Sequence, residues 1–176
     1  NHVYILKETG EIVDNCQKRP QRLFEERELS VDECAGYLQK AINLLKSQTA
    51  ASGSSEGTLK VIITVSPIRY AKYGYHGSQL SKATLLLAAD KLVKENPGVV
   101  SYFPAYEIMN DELRDYRFYK EDMLHPSEQA VEYIWERFRA TYFGKAAELF
   151  LEDWRPIREA LGHKPFHPES EEHQKF

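Results

Sequence analysis

Apolar residues recur along this chain with two different spacings. Residues 59–66 (LKVIITVS) and 99–106 (VVSYFPAY) are short, nearly continuous apolar runs rich in β-branched or aromatic side chains. Such runs are typical of strands buried on both faces of a parallel sheet. Apolar residues three and four positions apart predict amphipathic helices over residues 29–47, 78–98 and 125–143. From residue 59 onward the chain therefore alternates between predicted strands and predicted helices.

Turn and capping residues mark the ends of these elements. Residues 3–15 (VYILKETGEIVDN) have two extended arms around Glu-Thr-Gly, the pattern of a hairpin. Ser30 and Glu33 form a capping box at the start of the first helix. Small polar residues over 49–57 predict a surface loop within the domain. A second loop, rich in Tyr and Gly, is predicted before residue 78.

The alternation of strands and helices implies right-handed βαβ units and therefore an α/β fold. We predict a three-layer α/β/α sandwich with a mainly parallel sheet. The domain covers residues 1–161, and the Pro-, His- and charge-rich tail over 162–176 is expected to be loosely ordered. Because such sheets bind ligands beyond the carboxyl ends of their strands, the residues after Val65 and Phe103 and the loop before Pro126 are the expected rim of a site.

Composition and charge narrow the classes of function. The 176 residues are 42% hydrophobic, enough for a packed core, and the net charge of −4 comes without a basic block, which argues against a nucleic-acid partner. Cys16 and Cys34 belong to no metal-binding or disulfide pattern. No apolar run approaches the roughly 20 residues that span a bilayer. A cytoplasmic location fits these features, and the start NHVYIL, without Met, suggests that the native N-terminus lies elsewhere.

The segment 119–131 (YKEDMLHPSEQAV) carries the strongest catalytic pattern in the chain. A histidine near neutral pKa is suited to act as a general base, and an acid three residues earlier in a loop can accept its Nδ1–H. Asp122 and His125 have this spacing, Pro126 stiffens the next position, and Ser127 can cap the following helix. The alternative is ordinary helix-entry chemistry, since acids and polar residues are common before a helix.

Four further residues are candidates for lining the site. Ser66 follows a predicted strand and offers a hydroxyl or even a substitute nucleophile, although a strand-ending Ser often bonds local backbone. Arg69 can bind an anion or a substrate carbonyl, or form a surface ion pair. Asn1 and Asn15 are possible oxyanion donors, and a turn Asn is the common explanation for the second.

The remaining histidines and cysteines are weaker candidates. His76 lies in GYHGS, which is expected to be a flexible aromatic loop that could act as a substrate lid, or it is simply an exposed loop histidine. His163 and His167 are separated by Pro165, which prevents helical presentation of a metal pair, so no metal site is predicted. Cys16 could be nucleophilic, but a small buried thiol is the common case.

Longer strings resemble one known family. TVSPIR at 64–69, SKATLLLAA at 81–89, YFPAYEI at 102–108, DELRDYRFYKEDMLHPS at 111–127 and NCQKRP at 15–20 together resemble the GSCFA-domain family, whose fold is similar to that of the SGNH (GDSL-like) hydrolases. The resemblance implies that His125 is the general base and that Asp122 orients it. The Gly-Ser-Cys-Phe-Ala string that names the family is absent from residues 1–176. The nucleophilic Ser and the first strand are therefore expected upstream, and this chain is expected to be the later two-thirds of the domain.

Two functions from different classes follow from these observations. The first is a serine hydrolase of SGNH type, an esterase or acyl-transfer enzyme without a cofactor, acting on a small-molecule or carbohydrate ester. The second is a non-catalytic relative that binds a carbohydrate or acyl ligand, favoured by the 11 tyrosines, several of them in predicted loops. An incomplete sheet would also leave an open edge, through which the chain is expected to self-associate.

Overall fold

The N-terminal residues form a small antiparallel sheet. In the computed structural model, which describes residues 1–13, 16–51 and 59–162, strand β1 (His2–Leu6) pairs with β2 (Ile12–Val13) across a turn in which Gly10 has a φ of 72°. The predicted hairpin is confirmed as far as residue 13. A third strand, β3 (Phe24–Glu28), pairs antiparallel with the other edge of β1 and was not predicted. Its sequence FEERE lacks an apolar run, and only Phe24 is buried.

A parallel pair of strands follows the first long helix. Strand β4 (Val61–Ile63) pairs with β5 (Val100–Tyr102), and helix α2 (Gly74–Glu95) lies between them in the chain. This strand–helix–strand connection confirms a mixed α/β structure. Both strands are shorter than predicted, and the described strands form two separate sheets, ordered β2-β1-β3 and β4-β5. Their arrangement in a three-layer sandwich stays a prediction.

Helix α1 (Val31–Ala51) begins at the predicted capping box. The backbone N of Glu33 donates to Ser30 Oγ at 3.2 Å, and the backbone N of Ser30 donates to Glu33 Oε2 at 2.9 Å. The helix continues three residues into the loop predicted over 49–57, and residues 52–58 lie outside the described part of the chain. Its buried face joins α2 and β5 in one core cluster made of Leu29, Cys34, Ala35, Ile42, Ala88, Leu92 and Val100.

Helix α2 starts four residues earlier than its apolar periodicity predicts. A turn of 3₁₀ helix over Ala71–Tyr73 leads directly into it, so most of the predicted Tyr- and Gly-rich loop is helical. Two features accompany this early start. Ser78 Oγ accepts a hydrogen bond from the backbone N of Tyr70 at 3.1 Å, and a Cβ on Gly77 would lie only 3.0 Å from Cβ of Tyr73. His76 consequently lies in the first turns of α2, where it is exposed.

Beyond β5 the chain runs through short helical segments to the loop that holds the candidate site. Helix α3 (Ala105–Glu107) passes into a π-helical segment over Ile108–Leu113, and a 3₁₀ turn follows over Tyr116–Phe118. Helix α4 (Glu128–Tyr142) then begins after Ser127. Its Ala130 is fully buried against Met109 and Phe118. Val131, which the periodicity assigns to the apolar side, is 55% exposed.

The chain divides into two compact units, Asn1–Ile134 and Trp135–Phe176. In the described part of the second unit, helix α5 (Lys145–Gly162) contains Pro156 and was not predicted, because an internal proline normally signals the end of a helix. Trp135, Phe138 and Phe143 form a group of aromatic rings there. No helix within the described ranges is long and apolar enough to cross a membrane. The predicted tail begins at the last described residue, Gly162.

Candidate functional site

The loop that carries Asp122 and His125 is closed by backbone hydrogen bonds. Tyr119 and Pro126 face each other in an antiparallel bridge. Inside it, the backbone N of Lys120 donates to the carbonyl of His125 at 2.8 Å, and just outside it Ser127 N donates to Phe118 O at 2.7 Å. Both ends of the loop are thereby fixed, and His125 is held on a short, closed turn rather than on a free segment.

The helix that follows anchors this loop. Ser127 Oγ accepts a hydrogen bond from the backbone N of Ala130 at 3.3 Å, as a helix N-cap does. Ala130 itself is fully buried. The predicted capping role of Ser127 is therefore present, and it connects the loop to the second core cluster.

Asp122 and His125 are in direct contact. Asp122 Oδ2 lies 2.5 Å from His125 Nδ1. The other carboxylate oxygen, Oδ1, accepts hydrogen bonds from the backbone N of Leu124 at 2.9 Å and of His125 at 3.0 Å. The carboxylate thus holds both the backbone and the ring of His125, and three donors fix its orientation.

The hydrogen bonds of Asp122 also determine the tautomer of the ring. They lower the pKa of Asp122 to about 2, chiefly through the backbone N–H groups of His125 and Leu124 and then through the imidazole. An ionised carboxylate can only accept a hydrogen bond, so His125 Nδ1 carries the proton. Nε2 of a neutral ring then keeps its lone pair. The side chains of His125 and Asp122 are 54% and 44% exposed, so the pair lies at the protein surface.

Arg69 braces the opposite side of the loop. Its backbone N donates to the carbonyl of Leu124 at 2.9 Å, and its Nη1 donates to Met123 O at 3.0 Å. Its guanidinium lies over the ring of Tyr75, with 4.3 Å to the centroid, and 5.3 Å from the centroid of Tyr119. Arg69 therefore lies beside the loop of the Asp122–His125 pair, its role in binding an anion or a substrate carbonyl stays a prediction, and its tyrosine partners were not predicted.

A shallow hollow lies next to this arginine. It has a volume of about 260 Å³, and Arg69, Tyr119 and Tyr116 contribute to its wall. Asn110 and Arg114 lie on the same wall, which also includes Gln79, Met109 and the acidic Asp115. The hollow offers aromatic faces and cationic groups, a combination suited to a polar organic ligand.

Ser66 lies three residues before Arg69 and is exposed. Its Oγ accepts a long hydrogen bond of 3.4 Å from the backbone N of Ile68. This local bond matches the structural explanation for a serine after a strand. The hydroxyl hydrogen is not used in that bond, so a site-lining role for Ser66 stays a prediction.

Asn1 is engaged in tertiary contacts at the beginning of β1. Its Nδ2 donates to the carbonyl of Leu29 at 2.8 Å, and its backbone N donates to Ser81 Oγ at 3.1 Å. Its Oδ1 is buried without a hydrogen-bond partner among the described residues. One amide hydrogen of Asn1 is thus already used. Asn15, the other candidate oxyanion donor, lies outside the described residues.

The cysteines and histidines do not assemble into a metal centre in the described ranges, where no group of three or more His, Cys, Asp or Glu could hold an ion. Cys34 is buried, and burial raises the pKa of its thiol. Cys16 is half-buried. His163 and His167 are outside the described part of the chain.

Two family models match this chain. One is described as the GSCFA family and covers residues 1–138; the other is described as GSCFA domain protein, C-terminal domain, and covers residues 154–176. No curated protein and no solved structure matches it. The first match covers well over half of the chain and includes the whole loop of the Asp122–His125 pair.

Proposed function

The chain belongs to the GSCFA family, and from that membership we propose that it is part of an SGNH-type serine hydrolase that cleaves or transfers an ester-linked acyl group. In this proposal the two described sheets and their helices are part of a three-layer α/β/α sandwich. His125 is the general base, Asp122 orients it, and the nucleophilic serine comes from a segment upstream of residue 1.

The contact between Asp122 and His125 is the observation that supports this proposal most directly. An oriented imidazole with a free Nε2 is what a serine nucleophile requires. The carboxylate is fixed by two backbone donors of its own loop, so it holds the ring without depending on the substrate. Ordinary helix-entry chemistry would require only the backbone hydrogen bonds to the carboxylate. The additional bond of 2.5 Å to the imidazole is therefore the feature that favours a catalytic role over that explanation.

The proposed reaction follows the acyl-enzyme route. The serine Oγ attacks the ester carbonyl carbon while its proton passes to His125 Nε2, and the imidazolium is stabilised by ionised Asp122. The tetrahedral intermediate collapses, the carbon–oxygen bond to the leaving alcohol breaks, and that alcohol takes the proton from Nε2. Water, or an acceptor hydroxyl, then attacks the acyl-enzyme with the same base, which releases the acid or the new ester and restores the serine.

The negative charge on the intermediate oxygen requires hydrogen-bond donors. Asn1, Asn15, Ser66 and Arg69 remain the candidates from this chain. Arg69 is the best supported, because a guanidinium beside the loop of His125 can complement an oxyanion. Removal of one such donor typically lowers kcat by about 10²–10³-fold.

A second candidate function is binding of a carbohydrate or acyl ligand without turnover. The hollow beside Arg69 favours it, because Tyr116 and Tyr119 provide aromatic surface next to polar groups. The same hollow is also compatible with a substrate pocket. Labelling of the serine distinguishes the two functions.

The test uses a serine-reactive fluorophosphonate probe on the longest native form of the protein, beside the 176-residue chain and the His125→Ala variant of the long form. We expect the long form to be labelled and the rate of labelling to fall at least about 100-fold in His125→Ala, because a general base contributes roughly 10²–10⁴-fold. His76→Ala is the matched control, since His76 is an exposed histidine in α2.

The other outcomes would contradict parts of the proposal. Labelling of the long form that survives His125→Ala would remove His125 from the mechanism. An absence of labelling in every sample would favour the binding function. Labelling of the 176-residue chain would place the nucleophile within it, with Ser66 as the first residue to test.

Several finer expectations stay predictions at this point. These are a small-molecule or carbohydrate ester as substrate, self-association through an open sheet edge, a cytoplasmic location, and a domain limit at residue 161.

A further inference from the structure

A cavity of about 530 Å³ lies against the N-terminal sheet and helix α2. Its volume falls in the range of small-molecule pockets, roughly 300–1,000 Å³. Helix α2 contributes Ser78, Lys82 and Leu85, which are spaced four and three residues apart and so share one face of the helix. The sheet contributes Val3, and the chain after β4 contributes Ile68.

Lys82 is the unusual residue of this cavity. Only 8% of it is exposed, whereas lysines are almost never buried unless they are paired. Its Nζ donates to the carbonyl of Ser66 at 2.6 Å, and the ring of Tyr106 lies 5.7 Å away. No carboxylate of the described residues forms an ion pair with it, and none of the lining residues is Asp or Glu.

A buried ammonium without an anionic partner is costly. Burial lowers the pKa of Lys82 accordingly. An anion bound in the cavity would compensate for this cost, and its affinity would benefit from a charge-assisted hydrogen bond. The contact to the Ser66 carbonyl uses one of the three ammonium hydrogens, which leaves donors for a ligand.

The other lining residues indicate which chemical groups the ligand has besides its anionic group. Val3, Ile68 and Leu85 are apolar, and polar and apolar side chains both line the cavity. An inorganic anion would leave the apolar part without a contact. A carboxylate with a short hydrocarbon chain satisfies both parts of the wall.

We propose that this cavity binds a small aliphatic monocarboxylate, with the carboxylate on Lys82 Nζ and the hydrocarbon chain against Val3, Ile68 and Leu85. The proposal goes beyond the hydrolase function, because it concerns equilibrium binding and requires neither a serine nor His125. The binding is measured without an ester, so its failure and the failure of the hydrolase proposal are separate results.

The test is calorimetric titration of the 176-residue chain with hexanoate, with the neutral analogue hexanamide and with acetate. We expect saturable binding of hexanoate, and a Kd at least about tenfold weaker for hexanamide and for acetate. Loss of a charge-assisted hydrogen bond accounts for a tenfold weaker Kd for hexanamide. Backbone amide shifts over residues 78–85 should change during the hexanoate titration.

The matched pair of variants is Lys82→Met and Lys94→Met. Lys94 lies on the same helix, is 73% exposed and bonds Asp90 at 2.7 Å. Lys82→Met should weaken hexanoate binding at least about tenfold and Lys94→Met should leave it unchanged. The hexanamide comparison tests the role of charge in the unmodified chain, even if Lys82→Met fails to fold.

Three results would overturn the proposal. The first is no saturable binding of hexanoate to the unmodified chain. The second is equal affinity for hexanoate and hexanamide, or no effect of Lys82→Met in a folded variant. The third is acetate binding as tightly as hexanoate, which would contradict the role of the apolar wall.

Discussion

The carboxylate of Asp122 accepts two backbone hydrogen bonds and one from the imidazole of His125. These bonds hold its pKa near 2, below the ordinary value of 3.8, with the backbone donors as the largest causes. We expect ¹³C NMR titration of the carboxyl group to give this low pKa. In His125→Ala the pKa should rise but stay below 3.8, because both backbone donors remain. A value at or above 3.8 in the variant would show that the imidazole, and not the backbone donors, lowers the pKa of Asp122.

The direction of this shift also predicts a pH dependence of stability. Because the folded-state pKa is depressed, ionised Asp122 stabilises the fold above pH about 4, and this contribution is lost as the pH falls through about 2. The difference in urea midpoint between the unmodified chain and Asp122→Asn should therefore be larger at pH 6 than at pH 2. An equal difference in urea midpoint at pH 6 and at pH 2 would contradict the hydrogen-bonded geometry of Asp122.

At the scale of single elements, Ser127 connects the loop of Asp122 and His125 to helix α4. Ser127→Ala removes the acceptor for the backbone N of Ala130 and should destabilise the fold by about 0.5–2 kcal/mol. Ser127→Asp keeps an N-cap acceptor, so its unfolding free energy should stay near that of the unmodified chain. Urea unfolding measures both. An equal loss of unfolding free energy in Ser127→Ala and Ser127→Asp would mean that Ser127 does not act as a helix cap.

The elements that the sequence predicted correctly are those whose signals are local. The capping box of Ser30 and Glu33, the turn at Gly10 and the contact of Asp122 with His125 each involve residues close in the chain. Strand β3 was missed because its sequence alternates little and is stabilised by pairing with β1, which lies 18 to 26 residues earlier in the chain. The early start of α2 was missed for a different reason, because the hydrogen bond between Tyr70 and Ser78 is short in range but leaves no periodic pattern of apolar residues.

The candidate site shows the same division between local and distant contacts. The orientation of His125 follows from its own loop, whereas the brace from Arg69 crosses from position 69 to position 123. Lys82 lies in the helix predicted over 78–98, and only the tertiary structure shows that it is buried. Contacts of this kind leave no periodic signal in one sequence.

At the scale of the whole molecule, Leu92 links the helices to the parallel strands. It is fully buried on α2 in the cluster that includes Ile42 of α1 and Val100 of β5. Leu92→Ala would leave a cavity among these elements, and we expect it to lower the free energy of unfolding by about 2–5 kcal/mol. Leu87→Ala is the matched control, since Leu87 lies on the same helix and is 58% exposed. Apart from a small change in helix propensity, it should change the free energy of unfolding by no more than about 0.5 kcal/mol.

Urea unfolding followed by circular dichroism measures both leucine variants. A large, selective effect of Leu92→Ala is expected because α1, α2 and β5 share one core. Equal effects of the two substitutions would contradict that shared core. A two-step transition in Leu92→Ala would instead mean that the residues around His125 keep their structure without it, supported by the separate cluster of Met109, Phe118 and Ala130.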